Sequence, residues 1–294
     1  MTKVSGFYTG SDSAPKLAPG ARFGMLRLAT WGQYGRMNAK VFSFDEAGWE
    51  SATERPAGEA SMGDRVRRLD WERLSRDLDS SGNAVITGLL SAAECRSLAG
   101  LYGARGAFRS RVVMGRHGFG RGEYQYFSYP LPAEVAASRT ALYPYLVPIA
   151  NRWNVTMGID VRFPGAHREF LTRCHEAGQT QPTPLLLEYQ AGDFNCLHQD
   201  LYGEHVFPLQ VAVLLSQPGV DFTGGEFVMT EQRPRMQSRA EVVPLGLGDA
   251  VIFAVRYRPV QGTRGVYRVN LRHGVSRLRS GQRHTLGIIF HDAK

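Results

Sequence analysis

Leu-Leu-Leu-Glu-Tyr-Gln-Ala-Gly-Asp-Phe-Asn-Cys-Leu-His-Gln-Asp, residues 185–200, joins a short apolar run to a His-x-Asp pair. The run 185–190 has the length of a strand, and the glycine after it turns the chain before His198 and Asp200. On a strand or its loop exit, a spacing of two sends both side chains to the same side. Similar β-type runs follow at 206–215, 226–230, 240–244, 250–256, 265–272 and 284–290. Gly, Pro or polar turns separate them, which is the pattern of an antiparallel sandwich or small barrel.

The preceding part reads as helical. Asp70 can cap a helix that begins at Trp71 and runs to about Leu78. Ala84-Val85-Ile86 reads as a short buried strand. Ser91-Ala-Ala-Glu94 is a capping box, opening a helix with Cys95, Leu98 and Leu101 on one face. Residues 133–153 read as a helix bent near Pro144 and Pro148, and 165–177 as another. The expected class is therefore α+β with a mainly β core, its helices packed outside the strands. Residues 1–65, rich in Gly, Ser, Ala and Pro, are expected to form an irregular, partly flexible arm. Residues 66–294 are expected to form one domain, with its β core at about 184–291.

Composition excludes several classes. A hydrophobic fraction of 43% supports a real core and argues against disorder. The longest apolar runs are strand-sized, so no membrane span is expected. Cys95, Cys174 and Cys196 are scattered and odd in number, which suits neither a disulfide framework nor a zinc CxxC site. With no secretory layout at the N-terminus, a reduced cytoplasmic protein is expected. The net charge of +8 favours an anionic partner, although scattered arginine is often only a solvated surface.

His198, Asp200 and His273, the last expected on a distant strand brought near by closure of the sandwich, offer two imidazoles and a carboxylate. That donor set holds a non-haem Fe(II) without saturating it, leaving positions for cosubstrate and O2. A lone His-x-Asp is common and reads equally as a surface pair. Its context adds weight. Arg283 follows His273 by ten residues, placed for a returning strand to carry its planar fork into the same cavity, where it could grip a dicarboxylate. The alternative is a surface arginine. Tyr189 precedes His198 on the leading strand, where its phenol could meet the same carboxylate or simply fill the core.

The ordered set Tyr189, Gly192, His198-x-Asp200, Gly224-Gly225-Glu226, Gly248-Asp249-Ala-Val-Ile-Phe253, His273-x-Val275 and Gly281-x-Arg283-x-x-Leu286 resembles the Fe(II)/2-oxoglutarate-dependent dioxygenases of prolyl 4-hydroxylase type. The resemblance implies a double-stranded β-helix, a jelly-roll of the cupin kind. It implies that His198, Asp200 and His273 bind iron and that Arg283 binds the C5 carboxylate of 2-oxoglutarate. More narrowly, the chain resembles a bacterial oxygenase family described as acting on alkylation-damaged DNA, functionally like AlkB. AlkB proteins carry an Arg-x-Asn-x-Thr-x-Arg pattern. Here residues 283–289 read Arg-His-Thr-Leu-Gly-Ile-Ile, without the asparagine and the second arginine.

Two arginine clusters bear on the substrate. Arg105, Arg109, Arg111, Arg116 and Arg121 occur before Gly122 with no acidic residue among them. Phe108, Phe119, Tyr124, Tyr126 and Phe127 are interleaved or follow. Cations beside aromatic platforms suit a nucleic-acid strand, although a surface hairpin with core aromatics fits equally. Arg256, Arg258, Arg264, Arg268, Arg272, Arg277, Arg279 and Arg283 form the second cluster, of which about half should face outward. His205 and His284 are expected not to be ligands themselves but to sit behind the ligands or on the surface.

The leading expectation is a dioxygenase that couples 2-oxoglutarate decarboxylation to C–H hydroxylation, acting on alkylated nucleobases in DNA that are single-stranded or flipped. A hydroxylase of an amino acid, a peptide or protein residue, or a small metabolite is the alternative within enzymes. A non-catalytic sandwich that binds ligand or nucleic acid is the alternative of another class.

Overall fold

The helices form where the caps predict them. The computed structural model describes residues 60–104, 106–201 and 203–294; the expected arm up to residue 59, and Arg105, lie outside the described residues. Helix α1 spans Met62–Arg67, so the expected boundary at 65/66 falls inside a helix. Asp70 accepts a hydrogen bond from Arg73 N–H and starts α2, Trp71–Ser81. Such a cap contributes about 1 kcal/mol. Gly82, in the left-handed region at φ 78°, ends the helix three residues beyond the expected stop. Strand β1 follows (Asn83–Ile86), and the Ser91–Glu94 capping box opens α3, Ala92–Gly100. Helix α4, Ala133–Thr156, runs through both prolines, and α5 covers His167–Glu176.

Between α3 and α4 lie strands that the sequence reading did not assign: β2 (Phe108–Val113), β3 (Gly120–Arg121) and β4 (Glu123–Phe127). Their arginines and aromatics mask the period-two alternation on which the strand reading depends. The later strands are β5 (Leu185–Gln190), β6 (Phe194–His198), β7 (Leu209–Leu214), β8 (Phe222–Gly224), β9 (Phe227–Gln232), β10 (Arg239–Val243), β11 (Ala250–Ala254), β12 (Tyr257–Gly262), β13 (Gly265–Val275) and β14 (Leu278–Ile288). They form two antiparallel sheets. The larger has the order β1-β11-β7-β14-β5-β4-β2, with β8 against β14; the smaller has the order β10-β9-β13-β6-β3, with β12 against β13. This is the double-stranded β-helix, and its class is α+β with a mainly β core, as expected.

Register decides what faces what. Leu186 pairs with Leu286, Leu286 with Val213 and Val213 with Ala250. This rung is fully buried and joins the core that includes Leu142, Leu146 and Trp153 of α4. The neighbouring rung, Leu187–Thr285–Leu214, has the opposite parity, and its Leu187 and Thr285 line an internal cavity. Strands of the larger sheet thus carry a helix-packing face and a cavity face.

Two features fasten the frame. Asp249 accepts from Gly88 N–H and Gly246 N–H, while a side chain at Gly248 would overlap the Leu90 carbonyl. Arg139, buried in α4, donates to Ile289 and His291 carbonyls and pairs with Asp292 at 2.7 Å, locking the chain beyond β14. Among the described residues, no helix is long and apolar enough to cross a membrane.

Candidate metal and cosubstrate site

His198 ends β6 and His273 lies near the end of β13, and the two are direct cross-strand partners. The distal histidine therefore comes from the neighbouring strand of the same sheet, not from closure of the sandwich. A side-chain carbon at Gly274 would lie 2.6 Å from the Asn195 carbonyl, so glycine there lets the two ligand strands approach. Asp200 follows β6 by two residues. Its Oδ1 is 3.5 Å from His198 Nε2, and its Oδ2 is 3.4 Å from His273 Nε2. Three donors at about 2.1 Å from one centre, at right angles, would lie about 3 Å apart. One ligand atom from each of the three residues lies within 4.8 Å of the others.

Protonation sharpens the point. His198 Nδ1 lies 2.8 Å from the Cys196 carbonyl, which can only accept, so Nδ1 carries the proton. Nε2 then presents a lone pair to a carboxylate. His273 is buried against Phe253 and Phe227, with ring centroids at 4.5 and 6.0 Å. Burial and the neighbouring His198 hold its imidazole below the usual range, against the pull of Asp200. Two imidazole nitrogens converging on one carboxylate form a donor set that suits a divalent metal.

Arg283 lies on β14 as the partner of Tyr189 on β5. It is 1% exposed, and among the described residues no carboxylate forms an ion pair with it. Nη1 donates to Thr285 Oγ1, while Nε is buried without a partner. The guanidinium packs between Tyr189 and Phe222, 5.6 and 5.8 Å from their ring centres. Burial pulls it down to about 10. Tyr189 is pushed up to about 12, also by burial, and its hydroxyl accepts from Asn195 Nδ2 at 3.4 Å. Gly225, at φ 65°, leaves room that a side chain would take from Leu278 and from the Arg283 stem.

One cavity of about 230 Å³ contains the His–Asp–His group, Arg283 and Tyr189 in its walls. Tyr124 and Tyr126 line it too, their rings edge to face at 5.4 Å, so both face inward from the added strand β4. The arginines placed beside them in sequence are dispersed. Arg109 Nε donates to the Pro182 carbonyl, and its guanidinium covers Tyr126. Arg111 pairs with Glu123, and Arg121 lies 3.8 Å from Asp193. Arg116 is exposed in the turn Met114–Arg116. In the second cluster Arg258 and Arg283 are buried, Arg258 being paired with Glu231, and the other six are exposed, more than the expected half. His284 meets Glu188 at 3.2 Å and His205 lines a different cavity, both away from the triad.

Sequence reading missed Thr285, Asn195, Gln210 and Phe119, which also line the cavity. Gln210 left a signal: it is the one polar residue in the strand Leu-Gln-Val-Ala-Val-Leu. Phe119 was read with the aromatic cluster but not assigned to the site.

Residues 122–293, more than half of the chain, match a family model described as "Oxygenase, catalysing oxidative methylation of damaged DNA". This chain belongs to that oxygenase family. Uncharacterized proteins from two strains of Mycobacterium tuberculosis are 46% identical to it over 197 residues, 67% of this chain and 79% of theirs. Among solved structures, a Pseudomonas putida prolyl-4-hydroxylase is similar at 18% identity and a TM-score of 0.46, covering 76% of this chain and 99% of its own. A Burkholderia pseudomallei protein of the 2OG-Fe(II) oxygenase family is similar at 16% identity and a TM-score of 0.44, covering 77% and 93%. The family description makes it an oxygenase, and the His198, Asp200 and His273 side chains form a group that could hold a metal ion.

Proposed function

We propose that His198 Nε2, an Asp200 carboxylate oxygen and His273 Nε2 hold the Fe(II), that Arg283 holds the far carboxylate of 2-oxoglutarate, and that the substrate is an alkylated base in DNA. The residues from α1 to 294 then act as one catalytic domain around the core at about 184–291. The observation that carries the cofactor assignment is the buried Arg283 cation, which forms no ion pair with a carboxylate among the described residues, Glu226 acting on it only from a distance, yet shares a cavity with the His–Asp–His group. A buried charge of this kind requires an anion, and a dicarboxylate fits its planar fork.

Bound Fe(II) couples the oxidative decarboxylation of 2-oxoglutarate by O2 to hydroxylation of a substrate C–H bond. The protein's part is positional. The Cys196 carbonyl fixes the His198 tautomer and aims Nε2 inward. Tyr189 and Phe222 hold the Arg283 plane, while Tyr124, Tyr126 and Leu187 keep that end of the cavity apolar and exclude water.

The family description supports damaged DNA as the substrate class. Chemistry that oxidises C–H bonds removes a methyl group from nitrogen, because the resulting carbinol expels formaldehyde. Oxidative demethylation of the damaged base is therefore the chemistry that fits such a substrate. The exposed aromatic pair His117–Phe119 and the exposed Arg116 and Arg121 supply stacking and charge near Phe119, which lines the cavity.

The test supplies Fe(II), 2-oxoglutarate, ascorbate and methylated single- or double-stranded oligonucleotides, and measures succinate and formaldehyde. Both should form, and His198→Ala or Asp200→Ala should abolish both. Succinate without formaldehyde from any oligonucleotide, together with no salt-sensitive DNA binding, removes the DNA reading in favour of a peptide or metabolite hydroxylase.

A further inference from the structure

Gln210 stands out among the cavity walls. It is 3% exposed, and its Nε2 is buried without a hydrogen-bond partner among the described residues. Leaving a buried amide donor unsatisfied costs a protein about 1–3 kcal/mol. An apolar residue would suit strand β7 better, since its neighbours are Leu209, Val211 and Ala212. The cost is explained if a bound molecule completes the bond.

The register says which molecule. Gln210 is the cross-strand partner of Phe253, whose ring packs on His273. It adjoins Val211, the partner of Ile288, five residues along β14 from Arg283. At about 3.4 Å per residue that is ~17 Å along the strand. A glutarate-sized diacid anchored at Arg283 is much shorter and does not span that distance. Gln210 therefore serves the far end of the cavity, where a substrate must approach the metal.

Phe119 marks the rim of the same cavity. It is 48% exposed, its ring stacks on His117 at 5.3 Å, and its carbonyl accepts from Cys196 N–H at 2.8 Å. That bond ties it to β6 two residues before His198. A fixed, solvent-facing ring at a cavity mouth suits a flat partner.

We propose that Gln210 reads the substrate, its carboxamide donating a hydrogen bond to an edge acceptor of a flat heterocycle whose face meets Phe119. This inference rests on the nucleobase reading above and names the residues that would select the base. Gln210 is a binding and specificity residue, with no part in holding metal or 2-oxoglutarate.

The test is Gln210→Met, which keeps the volume and removes the donor. Without substrate, its melting temperature should match or exceed wild type, because the unpartnered amide is gone. Its KM for a methylated oligonucleotide in the formaldehyde assay should rise about tenfold, while its KM for 2-oxoglutarate stays within twofold. Phe119→Ala should also raise the oligonucleotide KM. A lower melting temperature with unchanged oligonucleotide KM makes Gln210 structural and overturns the proposal. A rise confined to the 2-oxoglutarate KM also overturns it.

A second arm separates this inference from the DNA reading. Wild type and Gln210→Met, loaded with Mn(II) and 2-oxoglutarate without O2, are titrated with free methylated nucleosides and followed by intrinsic fluorescence. Binding by wild type that weakens about tenfold in the variant sustains the role of Gln210 even if no oligonucleotide is demethylated. Equal binding by both proteins, or binding by neither, refutes it.

Discussion

Replacing Arg283 with methionine should make the ligand-free protein more stable and nearly unable to bind 2-oxoglutarate. Burial lowers the guanidinium to about 10. At 1.36 kcal/mol per pH unit, the charged form carries a burial cost of about 3 kcal/mol. The sign follows from linkage. The folded value lies below the unfolded one, so at high pH the unfolded chain holds more protons, and the penalty is fully present at neutral pH and is relieved only above about 10. Methionine fills the site beside Tyr189 and Phe222 without a charge, so the melting temperature of the metal-free protein should rise. Truncating one side of a buried charged pair costs about 2–5 kcal/mol of binding, or roughly 30- to 5,000-fold. Arg283→Lys should recover only part, because an ammonium cannot grip a carboxylate with two parallel bonds. Calorimetric titration of 2-oxoglutarate into the Mn(II)-loaded protein reads the binding directly. A dissociation constant within threefold of wild type in Arg283→Met, or a large drop in its stability, would refute the reasoning.

Acid should destabilise the protein before its ordinary carboxylates titrate. His167 and His291 are lowered to about 4 by burial, so between pH 6.5 and 4 the unfolded chain takes protons that the folded one refuses. Urea midpoints should fall across that window by an amount equivalent to several kcal/mol, as an order of magnitude; a flat profile from 6.5 to 5 contradicts the buried, neutral state. Gly225→Ala should push on Leu278 and the Arg283 stem at a backbone position that disfavours side chains. A KM for 2-oxoglutarate raised about tenfold, with a loss of about 1–3 kcal/mol in stability, is expected from steady-state kinetics and melting. Charge reversal at Arg116 should weaken oligonucleotide binding and flatten its salt dependence more than reversal at Arg111, which Glu123 already neutralises. Equal effects in a fluorescence anisotropy titration count against a phosphate contact at Arg116.

Legibility followed the physical signal. The capping box at Ser91 and the Asp70 cap are local devices, written in adjacent residues, and the structure reproduces both. Strand 185–190 was legible to the residue, because its turn and apolar run coincide. Strand β6 was not, although it carries His198, because its pattern Phe-Asn-Cys-Leu-His has no clear alternation and only partial burial. The same limit applied to arginine. Arg258 and Arg283 look like their exposed neighbours in sequence, since burial of a cation depends on a partner or cavity supplied by distant strands. Arg139, with its ion pair to Asp292 across the fold, was invisible for that reason.

The cavity face of the larger sheet has its own polarity. Its wall carries an incompletely partnered cation at Arg283 and, at Gln210, an amide nitrogen without a partner among the described residues, separated along the register, and His198, Asp200 and His273 line the same cavity. An inert sandwich core would gain from replacing both by apolar residues of similar volume. Retaining two different unmet needs, one for an anion and one for a neutral acceptor, is what a site for two successive ligands requires. The order of binding follows. On the proposed assignment the anion sits at Arg283 beside Tyr189 and Phe222, so the diacid must enter before a base at the Phe119 rim closes the approach. Product-inhibition patterns should accordingly place 2-oxoglutarate first, and random order would argue for a second entrance behind Arg283, where another cavity is lined by Phe222, Gly225 and Arg283 itself.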